Sequence, residues 1–110
     1  AISQGDIGEH FPPTDIKWKN KDSEFFLNYT KNLMEKNGFS INNIDITLIC
    51  ERPKISNYKE KMKGKIAKIL NIKKNNVNIK ATTTEKLGFL GREEGIACQV
   101  SVLVLKKNEY

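Results

Sequence analysis

The sequence predicts an α/β (α+β) two-layer sandwich, a small sheet with helices over one face. Three observations carry that prediction. Two-residue apolar alternation recurs at Ile44, Ile46 and Leu48, at Val77, Ile79 and Ala81, and at Ile96, Cys98, Val100, Val102 and Val104. Helical spacing appears in Phe26, Tyr29, Leu33 and Met34, and again in Met62, Ile66, Ile69 and Leu70. Each helix has a single apolar stripe, so it can bury one side only, against a sheet. The chain has 110 residues, enough for one domain with a modest core.

Residues 1–21 hold no sustained period, and Gly5, Gly8, Pro12 and Pro13 punctuate them, so they read as an extended loop. Asp22 or Ser23 then caps the first helix, and Gly38 suits its exit. A strand covers Ile44 to Cys50, followed by a corner at Glu51-Arg52-Pro53-Lys54. Ser56 or Asn57 caps the second helix, which runs to Leu70. Asn75 and Asn76 turn the chain into a strand over 77–82, a helical turn follows near Glu85–Phe89, and the final strand spans Ile96 to Lys106. Parallel pairing of the first two strands makes one right-handed crossover. Ile49, Leu103 and Leu105 then lie on the uncovered sheet face, which suggests an oligomer contact.

The net charge is +6 and mostly lysine, which suits phosphorylated ligands or simply a solvated surface. No apolar run approaches the roughly 20 residues of a membrane span. Cys50 and Cys98 lie far apart in strand-like runs, so both read as buried free thiols of a reducing compartment.

The most chemical stretch is Ala81-Thr82-Thr83-Thr84-Glu85-Lys86-Leu87-Gly88-Phe89-Leu90-Gly91-Arg92. It lies at a strand's carboxyl end, where open α/β sheets bind ligands. Hydroxyls and turn amides can hold phosphate oxygens, a carboxylate can hold the accompanying Mg²⁺, and Arg92 offers a planar fork. On these residues alone, a polar strand-to-helix connection capped by a threonine fits equally well.

Further segments occur in a fixed order around this block: Gly5-Asp6-Ile7-Gly8-Glu9-His10-Phe11-Pro12-Pro13-Thr14-Asp15, the Pro53-Lys54 corner, and Glu94-Gly95-Ile96-Ala97-Cys98. Together they closely resemble the 2-C-methyl-D-erythritol 2,4-cyclodiphosphate synthases of non-mevalonate isoprenoid biosynthesis, from about Gly5 to Lys106. The resemblance implies a lyase that forms a cyclic diphosphate and CMP from a cytidine-diphosphate methylerythritol 2-phosphate. It implies a homotrimer with active sites between subunits, working in a bacterial cytoplasm or an apicoplast-like plastid. Residues 1–110 would form one synthase-like domain lacking its N-terminal zinc-ligand segment.

Position by position, the resemblance gives Glu85 as the ligand of Mg²⁺ or Mn²⁺. It gives Thr82 and Thr83 as phosphate contacts, with Thr83 acting at the transition state, and Thr84 as a further substrate-binding residue. Asp6, Ile7 and Gly8 match the ribose-contacting segment. Phe11, Pro12, Pro13, Thr14 and Asp15 match the loop over the methylerythritol end, with Pro13 in place of the usual aspartate. Cys50, Glu51, Arg52, Pro53, Lys54, Ile55 and Ser56 match the cytosine pocket, read largely by main-chain groups. Phe89 and Arg92 match a central cavity of the trimer suited to an isoprenoid diphosphate. The resemblance also implies Zn²⁺, with ligands expected upstream of Ala1. The one histidine, His10, follows the Gly5–Gly8 segment and reads as a loop residue with no metal role. A chain truly starting at Ala1 would be expected to lack zinc and to be poorly active.

The competing reading is a nucleic-acid-binding module without catalysis. Lys59, Lys61, Lys63, Lys65 and Lys68 decorate one helix, and lysine contacts to phosphate bind without reading sequence. No RNP-like aromatic pattern and no GXXG loop flanked by KH-type helices supports it.

Overall fold

In the computed structural model, which describes residues 1–15, 17, 20–52 and 54–107, the chain runs through seven labelled elements. They are α1 (Ile7–His10), α2 (Ser23–Lys36), β1 (Phe39–Ile49), α3 (Lys59–Leu70), β2 (Val77–Thr82), α4 (Gly88–Gly91) and β3 (Ala97–Lys106). The strands stand in the order β2-β1-β3. β1 pairs in parallel with β2 from Ile44↔Val77 to Ile49↔Thr82, and antiparallel with β3 from Phe39↔Lys106 to Ile49↔Ala97. The predicted β1-α3-β2 crossover between parallel strands is therefore present. The carboxyl ends of β1 and β2 meet the amino end of β3 at one edge of the fold.

The apolar periods give the core. Val77 and Ile79 are each only 1% exposed and pack with Cys50, Ile55 and Ala67. Ile46, Leu48, Met62, Ile66 and Ile72 close around them. Burying an aliphatic side chain of this size contributes about 1.5–3 kcal/mol. Asp22 caps α2, its carboxylate accepting from the Phe25 N–H at 3.0 Å. Gly38, at φ +82°, makes the exit that starts β1.

Several element boundaries depart from the sequence reading. The stretch read as loop over 1–21 contains α1, because Asp6 caps it by accepting from the Glu9 N–H at 3.0 Å. β1 begins at Phe39, five residues ahead of Ile44. A register shift between Ile41 and Asn43 breaks the alternation that would have shown this. Ser56 and Asn57 do not cap α3. They lie in a 3₁₀ turn over Ile55–Asn57, and Tyr58 precedes the helix without a side-chain cap. β3 starts at Ala97, not Ile96.

Cys50 is buried, but Cys98 is exposed. Cys98 lies on β3 opposite Leu48 of β1; β2 and β3 are both edge strands, but α2 and α3 pack against β1 and β2, and Val100 of β3 is likewise 54% exposed. The opposite sheet face carries the exposed Leu103 and Leu105. Its β1–β2 half is polar: Lys80 Nζ and Asn78 Nδ2 donate to the two oxygens of Asp45 at 2.8 and 2.9 Å. No described helix is long and apolar enough to cross a membrane.

Candidate functional site

The parallel ladder delivers the threonine block and the Cys50 segment to the same place. The Cys50 N–H donates to the Thr82 carbonyl at 3.0 Å, one step past the last strand pair. The three hydroxyls beyond β2 are used differently. Thr82 Oγ1 lies 3.4 Å from the Thr83 carbonyl. Thr83 Oγ1 accepts from the Glu85 N–H at 3.2 Å, which leaves its own proton free to donate. Thr84 Oγ1 donates to the Leu87 carbonyl at 2.7 Å, which commits its proton to the turn.

Glu85 and Lys86 both have left-handed backbones, with φ +55° and +65°. The helical turn expected over Glu85–Phe89 is therefore absent there. Two left-handed residues cannot continue a right-handed helix, and α4 forms only at Gly88–Gly91. Each such non-glycine residue costs about 1–3 kcal/mol, so its surroundings must hold it. The Glu85 carboxylate is exposed and has no hydrogen bond or salt bridge to any described residue.

Neighbouring side chains complete this edge. Glu51 Oε1 accepts from the Lys86 N–H at 3.0 Å, across 35 positions of sequence. Arg52 Nε lies 3.4 Å from Glu93 Oε1. The fork of Arg92 is engaged with Glu94, through Nε to Oε1 at 3.0 Å and its terminal nitrogen to Oε2 at 3.2 Å. Phe89 is 57% exposed. Lys54 and Ser56 are exposed, whereas the Ile55 side chain belongs to the core. Pro53 lies outside the described residues.

The second set of predicted residues is anchored elsewhere, on α2. Phe11 is buried edge-on against Phe26 and Tyr29, with centroids 4.8 and 4.5 Å away. His10 closes α1 and is tied at both ring nitrogens. Nε2 lies 2.6 Å from the Gln4 carbonyl, which can only accept, so Nε2 carries the proton; Nδ1 meets the Tyr29 hydroxyl at 3.1 Å. His10 is thus a structural tie, more than the loop residue the sequence suggested. Pro12 and Asp15 form a turn, the Asp15 N–H donating to the Pro12 carbonyl at 3.0 Å, with Pro13 and Thr14 exposed between them. His10 and the Phe11 ring are tied to Tyr29 of α2, whereas the turn after β2 is tied through the Lys86 N–H to Glu51 at the sheet's carboxyl end.

The donor set decides which metals fit. Among the described residues no group of three or more His, Cys, Asp or Glu side chains could hold an ion. With both His10 nitrogens occupied, these residues do not fit a zinc site. Mg²⁺ asks less of a protein: one or two carboxylates, completed by phosphate oxygens and water. Glu85 meets that requirement.

Residues 1–105 match the YgbB family. The chain belongs to the YgbB family. It is 52% identical over 106 residues to the 2-C-methyl-D-erythritol 2,4-cyclodiphosphate synthase of Francisella tularensis subsp. novicida, covering 96% of this chain and 67% of the relative. It is 53% identical over 104 residues to the bifunctional enzyme IspD/IspF of Wolbachia pipientis wMel, covering 94% of this chain and 26% of that enzyme. The structure described as "IspF (Plasmodium falciparum) CDP complex" superposes with a TM-score of 0.87 at 36% identity, covering 98% of this chain and 64% of that one. The chain thus spans about two thirds of the single-function relative and about a quarter of the bifunctional one. The YgbB match takes in both sets of site residues, from Asp6 to Arg92. Membership does not favour the nucleic-acid reading. Part of the α3 charge is also spent locally, with Lys63 and Lys74 of the same region 3.8 and 2.7 Å from Glu60.

Proposed function

We propose that this chain catalyses cyclodiphosphate formation: the 2-phosphate of a 4-diphosphocytidyl-methylerythritol attacks the β-phosphorus, and CMP leaves. The carrying observation is the Thr83–Glu85 turn at the sheet's carboxyl end, where the Thr83 hydroxyl accepts from the Glu85 N–H and the exposed Glu85 carboxylate has no partner among the described residues. Phosphoryl transfer needs in-line positioning and charge neutralisation more than covalent help, and these groups supply both.

Thr83 donates its free proton to a phosphate oxygen as charge develops at the β-phosphorus, with Thr82 beside it. Thr84 keeps the turn closed. Glu85 would hold Mg²⁺ or Mn²⁺, which would supply positive charge against the diphosphate. The Cys50–Ser56 segment receives the cytosine, mainly through main-chain groups. Asp6 uses one oxygen to cap α1, leaving the other for the ribose hydroxyls. Gly8 lets the backbone come close, and Phe11–Asp15 cover the methylerythritol end. Phe89 and Arg92 line a cavity for an isoprenoid diphosphate, where Arg92 must exchange Glu94 for phosphate.

The two residue sets are anchored on different parts of the fold, which supports a site built between subunits of a homotrimer. The exposed Leu103 and Leu105 give the sheet face for that assembly. Phosphorus NMR of the protein with the cytidine-diphosphate substrate and Mg²⁺ tests the reaction. CMP and a cyclic diphosphate are expected, and neither should form with Glu85→Ala. Absence of both turnover and CDP binding would overturn the proposal.

A further inference from the structure

We infer that Glu51 is a positioning residue: its carboxylate holds the Glu85–Lys86 turn in the left-handed form that aims Glu85 at the diphosphate-bound cation. The inference rests on the metal role proposed above for Glu85. Four observations carry it. The Glu51–Lys86 N–H bond joins segments 35 residues apart and is made by an anionic acceptor, which strengthens it. Glu85 and Lys86 are consecutive left-handed non-glycine residues, a geometry that surrounding contacts must impose. A Cβ at Gly91 would overlap the Cα and carbonyl of Lys86, so Glu51 holds the amide on one side of Lys86 and Gly91 packs against the carbonyl on the other. Glu51 itself is fixed, being one residue past the Cys50 N–H bond to Thr82 that ends the β1–β2 ladder.

The Glu85 carboxylate has no side-chain partner of its own among the described residues. The point from which it reaches is therefore set by its backbone, and that backbone is held by Glu51. One Glu51 oxygen suffices for the Lys86 N–H, and the other remains available to the base pocket. The two roles separate by experiment, because only the positioning role acts through the cation.

The test measures CDP affinity by calorimetry with and without Mg²⁺ in the wild type, Glu51→Gln, Glu51→Ala and Glu85→Ala, alongside hydrogen exchange of the Lys86 amide. Glutamine keeps an acceptor oxygen and alanine does not. Mg²⁺ should tighten CDP binding in the wild type and in Glu51→Gln. In Glu51→Ala that tightening should fall by about tenfold or more, toward the Glu85→Ala value, as expected for loss of a charge-assisted bond. Lys86 should be protected in the wild type and Glu51→Gln and unprotected in Glu51→Ala. Full Mg²⁺ tightening in Glu51→Ala would overturn the inference, as would a Lys86 amide that stays equally protected in Glu51→Ala. A wild type whose CDP affinity ignores Mg²⁺ overturns the metal role and the positioning role together. Amide exchange then shows whether the tie itself exists.

Discussion

Three adjacent threonines differ because their hydroxyl protons go to different places. Thr83 accepts from a backbone N–H and keeps its proton, while Thr84 gives its proton to the Leu87 carbonyl. Thr83→Val should therefore lower turnover by about 10²–10³, the typical loss of a donor to developing charge. Thr84→Val should instead lower stability by about 1 kcal/mol, read from denaturant midpoints. The residue types of this block were plain in the sequence, as consecutive hydroxyls beside a carboxylate. Their division of labour was not, since it depends on the backbone turning left-handed at Glu85. The role of Glu51 was equally hidden, because its partner lies 35 positions away. A third residue-scale expectation concerns acid. The Lys80 ammonium, and then the Asn78 amide, hold the Asp45 carboxyl below its usual value. The unfolded chain thus takes up this proton first, and the pair stabilises the fold fully only above the ordinary carboxylate value near ~3.9. Its contribution fades as pH falls from there through the lower folded value. Lys80→Met should flatten that acid limb in a pH series of thermal unfolding.

At the scale of elements, period and capping chemistry were legible where each acted locally. Asp22 sits immediately before the α2 stripe, and its cap is present. Asp22→Ala should cost about 1 kcal/mol of stability by chemical denaturation. Val77 and Ile79 alternate in sequence and are the most buried side chains of the core. Ile79→Ala should cost about 2–5 kcal/mol, and a value under about 1 would contradict the central place given to β2. What escaped was set by partners distant in sequence. The first residues of β1 alternate poorly and are strand only because the end of β3 pairs with them. Exposure of Cys98 follows from its place on β3, the strand farthest from the helix-covered β2, which alternation alone does not reveal. α1 is too short to show a period, and its cap is a single aspartate in a glycine-rich stretch.

At the scale of the whole molecule, the sheet brings the segment after Cys50, the threonine turn and the Phe89–Arg92 segment to one end. The Asp6–Asp15 segment is secured to α2 through Phe11 and His10. That division is what makes assembly part of the proposed function. If the proposed trimer forms through the exposed sheet face, Leu103→Glu should lower the mass seen by light scattering and weaken CDP binding with it. The central claim is that the carboxyl end of the sheet is a metal-assisted cytidine-diphosphate site. It is tested most directly by phosphorus NMR of CDP titrated with the protein, with and without Mg²⁺, in the wild type and Glu85→Ala. The account predicts that both phosphorus resonances shift on binding and that Mg²⁺ enlarges the shift in the wild type alone. Resonances that do not move with protein, or a Mg²⁺ effect that survives in Glu85→Ala, would contradict it.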